Sequence, residues 1–291
     1  MGPLGRIVGF LLGLGGVFAL ALGVGSLWGP TVATPTAHVD EPGHAGASGG
    51  HGAGGDHLPG GLLRSQDGYS LDLAATTAPA GRGVPLTFTI TGPHGSPVTA
   101  YDVEHRRRLH LVLVRRDLTG FQHVHPRLDT ASATWSTSVD LEPGTWRVFA
   151  DFRVSGGPAL TLGTDLTVPG EIPEPVPITA DTHTAHVDGY TVRLDGALVA
   201  GREAELVLTV WEGGRPVTDL QPYLGADGHL VILREGDLAY LHVHPDSAAR
   251  PGPTIGFTAE VPSAGHHRLF LDFRHGGGVH TARFDLTAVS R

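Results

Sequence analysis

Residues 110–126, HLVLVRRDLTGFQHVHP, return without a gap as residues 229–245, HLVILREGDLAYLHVHP, with 8 of the 17 positions identical. Ordinary residue frequencies would give about one identity. The match extends outward: GYSLDL (68–73) returns as GYTVRL (189–194), and WRVFADFR (146–153) as HRLFLDFR (267–274). Residues 66–168 thus repeat as 187–289, so whatever fold one copy adopts must serve twice. Each copy carries short β-prone segments separated by Gly, Pro and Asp turns. In the first they are expected near 69–76, 84–92, 97–101, 109–116, 121–127, 133–141, 145–154 and 159–168. About 100 residues of such strands point to an all-β protein with two tandem Ig-like β-sandwich domains.

Composition agrees and narrows the chemistry. Gly (43) and Pro (22) favour turns over helices. The 20 basic residues are all Arg and are scattered, so no basic stripe offers a surface to nucleic acid. With no Cys and only the initiator Met, disulfides, thiolate nucleophiles and sulfur ligands for Cu(I) are excluded. Histidine, at 18 copies, is abundant.

The N-terminus carries Ile7–Trp28 without a charge, preceded by Arg6. That run is long enough to span a bilayer, and residues 1–29 are expected to be a signal anchor or a signal peptide, a cleavage site after Ala33 being the second choice. Either leaves the remainder outside the cytoplasm. Residues 30–64 contain a Gly/Ala-rich stretch with His38, His44, His51 and His57, expected to be a flexible tether. The domains are then 65–168 and 183–291, joined by a Pro-rich linker over 169–182.

His123 and His125, like His242 and His244, stand two apart on a predicted strand and so project from one face. Pro126 and Pro245 end those strands. A hairpin would pair His110 with His125, and His229 with His244, bringing a third imidazole to each pair; a slip of one residue would send it to the other face. The second copy adds His280, where the first has Leu160, giving candidate ligands His229, His242, His244 and His280 against His110, His123 and His125. Asp151 and Asp272, mid-strand among apolar neighbours, either orient a ligating histidine or pair with Arg153 and Arg274. His94, His105, His183, His186, His266 and His267 have no counterpart and are expected at the surface. An all-imidazole site suits copper(II) first and zinc second.

The segments GHLVILREGDLAYLHVHP, HRLFLDFR and VHTARFDL resemble bacterial exported, copper-associated proteins with YtkA-like Ig-type domains. The resemblance implies an extracytoplasmic β-sandwich linked to heavy-metal handling. It touches His229, His242, His244, Asp272 and His280, and the first copy departs from it at Leu160. Nucleophile elbows and phosphate loops are missing, so the chain is not expected to be an enzyme. The expected function is a membrane-tethered protein that buffers or delivers metal, with a membrane transporter or complex as partner. The competing expectation is an Ig-like interaction or assembly module whose histidines are structural.

Overall fold

The computed structural model describes residues 58–290 apart from 173, 176 and 247–251. The expected anchor and most of the tether lie outside the described residues. Among the described residues no helix is long and apolar enough to cross a membrane.

The first copy contains β1 (Ser65–Gln66), β2 (Tyr69–Leu73), β3 (Gly81–Thr91), β4 (Leu109–Arg115), β5 (Gln122–Val124), β6 (Arg127–Asp129), β7 (Thr134–Leu141), β8 (Gly144–Arg153) and β9 (Ala159–Val168). The second contains β10 (Thr184–Val187), β11 (Tyr190–Asp195), β12 (Arg202–Glu212), β13 (Arg215–Pro216), β14 (Gly228–Arg234), β15 (Val243–Pro245), β16 (Thr254–Val261), β17 (Gly265–His275) and β18 (Gly278–Ala288). The described chain is all-β, as its composition led one to expect. The strand expected over 97–101 is not formed; only isolated bridges at Pro97 and Tyr101 mark it.

Each copy stacks two antiparallel sheets. In the first they run β1-β2-β3-β7-β6 and β5-β4-β8-β9; in the second, β10-β11-β12-β16-β15 and β14-β17-β18. Alternation builds the cores. Leu86, Phe88 and Ile90 of β3 meet Leu109, Leu111 and Leu113 of β4, and Leu206, Leu208 and Val210 meet Leu230 and Ile232 in the second copy.

The β4 run LHLVLVR does not alternate, and it is buried at every position. A strand apolar on both faces needs cover on both. The second cover is the other copy. Val112, Val114 and Phe149 from the outer face of one sheet pack against Val231, Leu233 and Phe270 from the outer face of the other, forming a third apolar cluster. Contacts across it are reciprocal. Phe121 stacks on Phe270 at 4.0 Å between ring centroids, and its repeat equivalent Tyr240 packs on Phe149, the equivalent of Phe270, at 5.5 Å. The tandem copies therefore meet as a two-fold homodimer would, within one chain.

Residues 60–63 run beside this interface. Gly61 N–H donates to Thr161 O at 2.7 Å, Tyr240 N–H to Gly60 O at 2.9 Å, and Gly163 N–H to Leu63 O at 2.8 Å. The buried Arg147 guanidinium donates to the carbonyls of Gly61 and Leu62. This end of the tether thus ties the first copy to the second.

Candidate metal centre

The hairpin of β4 and β5 has the register expected from sequence: Leu111 pairs with Val124 and Val112 with His123. One step on, His110 and His125 face each other, and His123 lies on the same side as both. Nδ1 of His110 is 3.0 Å from Nε2 of His123 and 3.2 Å from Nε2 of His125. The three donor atoms all lie within 4.8 Å of one another.

Outward bonds fix which nitrogens carry protons. Nε2–H of His110 donates to the Glu104 carbonyl at 3.3 Å. Nδ1–H of His123 donates to Oδ2 of Asp272 at 3.0 Å. A carbonyl and a carboxylate only accept, so in neutral rings His110 Nδ1 and His123 Nε2 both present lone pairs. Two lone pairs cannot face each other at 3.0 Å without a cation between them. A proton satisfies that need, and so does a metal ion. Two nitrogens each about 2.0 Å from one ion lie about 2.8–3.3 Å apart for angles from 90° to tetrahedral. The observed separations of 3.0 and 3.2 Å fall in that interval.

The surroundings keep the His110 and His125 rings neutral. Burial, reinforced by the nearby His123, lowers the His110 and His125 pKa values to about 3. Burial and the same neighbours take His229 down to about 2. Neutral imidazole is the form that binds metal.

The second copy contributes to this cluster instead of forming its own. Asp272, 3% exposed, accepts from Thr281 through Oδ1 and from His123 of the first copy through Oδ2. Its carboxylate thus bonds His123 and Thr281, the arrangement the first of its two sequence readings calls for. His229, the cross-strand partner of Asp272, stands 5.7 Å from His110 and 5.8 Å from His123 between ring centroids. Asp151 differs: its Oδ1 accepts from Thr161, burial raises its pKa, and His242 is the nearest histidine acting on it electrostatically.

The four-residue set His229, His242, His244 and His280 does not converge, which corrects the expectation for the second copy. Its hairpin begins in the equivalent register, with Leu233 opposite Tyr240, but the chain then leaves β14. Glu260 N–H donates to His242 O, and β15 pairs with β16, placing His244 opposite Thr258. His242 and His244 remain neighbours, 4.2 Å between ring centroids, yet both are exposed and their segment pairs with β16 and not with the β14 strand that carries His229. His280 is the partner of Phe273, one residue from Asp272, so it projects from the opposite face of the sheet; it contacts Tyr190 and bonds Asp188.

One residue accounts for the difference between the hairpins. In the first copy the Gln122 side chain accepts from Asp140 N–H at 2.8 Å and donates to Asp140 O at 2.6 Å. An amide side chain thereby satisfies the edge of β7 and leaves the main chain of β5 free to stay on β4. The second copy has Leu241 at that position, which has no polar group to offer. Main chain must satisfy Glu260 instead, and it crosses to the other sheet about three residues earlier. The first copy, despite Leu160, therefore holds the cluster.

One further expectation changes. His267 is not at the surface: it is fully buried at the position of Trp146, with Nε2 unpartnered. His105 is exposed, but its ring stands 5.2 Å from His229 and 6.0 Å from His110, so it borders the cluster. Tyr223 closes another side, 5.6 Å from His229. Neither residue has a counterpart signal in the repeat that sequence reasoning could have used.

A family model described as Domain of unknown function (DUF8832) matches twice, over residues 64–170 and 185–290. The chain belongs to the DUF8832 family. The two DUF8832 matches follow the internal repeat, and the surroundings of the histidine cluster draw on both. No curated protein matches the chain. Among solved structures it is similar to the Escherichia coli adhesin FdeC, at 16% identity over 81% of this chain and 66% of that one, with a TM-score of 0.25. It is similar also to the Yersinia pseudotuberculosis adhesin InvE (13%, 81% and 61%, 0.22) and to domains 4 and 5 of the S-layer protein SbsC (10%, 76% and 97%, 0.23). The chain spans just under two thirds of the FdeC chain and about three fifths of the InvE chain. These three similar proteins are adhesins and an S-layer protein, and neither they nor the family model shows a copper association or a YtkA-like relation.

Proposed function

We propose that this DUF8832 protein is an extracytoplasmic, membrane-tethered metal-binding protein that holds one ion among His110, His123 and His125 and buffers or delivers it. The observation that carries this reading is the pair of bare nitrogens, His110 Nδ1 and His123 Nε2, held 3.0 Å apart by acceptor-only partners on their far sides. Copper(II) is the first candidate, because it heads the divalent series at imidazole donors and no thiolate or thioether is present to favour Cu(I). Zinc is the second. A membrane transporter or complex would be the recipient, and nucleic acid has no basic surface to meet.

The second reading is an Ig-like interaction module whose histidines are structural. One feature favours it: an imidazolium at His123, between Asp272 and His110, would satisfy the same hydrogen bonds with a proton in place of a metal.

The test is a Cu(II) titration of the full chain carrying Ala at His38, His44, His51 and His57, followed by electron paramagnetic resonance. One tight equivalent with nitrogen hyperfine structure is expected, and it should be lost in His123→Ala/His125→Ala. Absence of tight binding, or binding indifferent to the double substitution, would leave the interaction module as the better reading.

A further inference from the structure

The repeat offers each copy three histidines, yet among the described residues only one cluster forms, and a histidine of the other copy stands beside it. The position of His229 follows from its strand. It pairs across the sheet with Asp272, and the Asp272 carboxylate already reaches over the interface to hold His123. His110, its repeat equivalent, faces it near the pseudo-two-fold axis. The centroid spacings among the three converging rings are 5.3, 5.0 and 4.8 Å; His229 stands 5.7 and 5.8 Å from two of those rings and lies outside the group whose donor nitrogens are all within 4.8 Å, so its ring must shift inward to reach a shared ion.

Its Nε2 is fully buried and has no hydrogen-bond partner, one of only two such side-chain atoms among the described residues. A buried polar atom without a partner is costly, and native proteins keep one where a ligand or ion completes it. The other, on His267, lies at the far end of β17 with no imidazole cluster beside it.

Resting on the metal-binding reading, we infer that His229 Nε2 is the fourth donor, so that one ion is held by His110, His123 and His125 of one copy and His229 of the other. The ion then bridges the two DUF8832 domains, and a single copy carries at most three of the four donors. Four neutral imidazoles around one ion suit Cu(II) and zinc alike. Asp272 adds a carboxylate that orients His123 without itself binding.

The experiment uses the same full chain with the tether histidines replaced, loaded with Cu(II), and compares the parent with His229→Leu and His229→Gln. The parent should show hyperfine coupling to four nitrogens. Both variants should drop to three, with affinity weakened at least about tenfold, as loss of even an orienting partner does at metal sites. Far-UV circular dichroism identifies the variants that keep the fold, and Gln, which retains a polar group, guards against misfolding of the Leu variant. Unchanged coupling and affinity in a folded variant would overturn the fourth-donor assignment while leaving the three-histidine site standing. A parent that binds no Cu(II) at all would overturn the metal reading itself, and the two failures are thus distinguishable.

Discussion

At the scale of single residues, the account turns on which atoms carry protons. His123 can present Nε2 inward only because Asp272 takes its other N–H, and Asp272 comes from the second copy. Asp272→Asn removes the carboxylate that accepts the Nδ1–H of His123 and fixes its ring, and should weaken Cu(II) binding about 10–100-fold, measured by competition titration; unchanged affinity would mean that the carboxylate is only structural. The histidines also set a pH dependence. His110, His125, His229 and His267 all have folded pKa values below the ordinary value of about 6.5, burial being the leading cause at each. The unfolded chain therefore takes up protons first. Stability of the metal-free protein should be complete above about pH 6.5 and be lost progressively below it. Asp151, a buried carboxyl held above its ordinary value, adds the opposite slope, but it is one group against four. A thermal midpoint that falls between pH 7.5 and 5.5 is expected, and a flat or rising one contradicts the assignment. At this scale the His-x-His-Pro pairs and the two aspartates were legible in sequence. That Asp272 serves the other copy was not, because nothing local marks a long-range partner.

At the scale of elements, both copies carry the same hairpin motif and only one keeps it closed. The sequence leaves the register of β4 and β5 open to a slip of one residue, because alternation and turn length allow both, and the observed one sets His110 against His125. The early crossing in the second copy was hidden, because the deciding difference, Gln122 against Leu241, lies at a position whose partner is about 18 residues away. Gln122→Leu should let β5 cross as β15 does, separating His123 and His125 from His110. The expected result is Cu(II) affinity lowered at least about tenfold with the fold kept, since each such orienting contact carries that much at metal sites; retained affinity would mean that Gln122 does not hold the hairpin. Residues 60–63 supply a second element-scale test. Gly61 adopts φ +74°, and a Cβ there would overlap the Phe149 ring, while a Cβ on Gly163 would overlap the Gly61 carbonyl. Gly163→Ala should therefore lift this segment from β9 and cost about 1–3 kcal/mol, read as a lower denaturant midpoint; a midpoint equal to that of the parent would show that the segment does not bind β9 tightly.

At the scale of the whole molecule, the two domains behave as a dimer written into one chain. The unbroken apolar run at 111–114 is the sequence signature of a strand buried on both faces, and it identifies the outer cover once the repeat supplies a second copy to provide it. Phe270→Ala removes the ring that stacks on Phe121 and should cost about 3–5 kcal/mol. Because Asp272 and His229 approach the cluster across this interface, the same substitution should weaken metal binding as well as lower the thermal midpoint; a loss of stability with affinity intact would uncouple the two. The most direct test of the centre is anomalous diffraction at the copper edge from crystals of the Cu(II)-loaded chain. A single strong peak within bonding distance of His110 Nδ1, His123 Nε2 and His125 Nε2 is predicted. A peak at His242 and His244 instead, or no ordered peak at all, would contradict it.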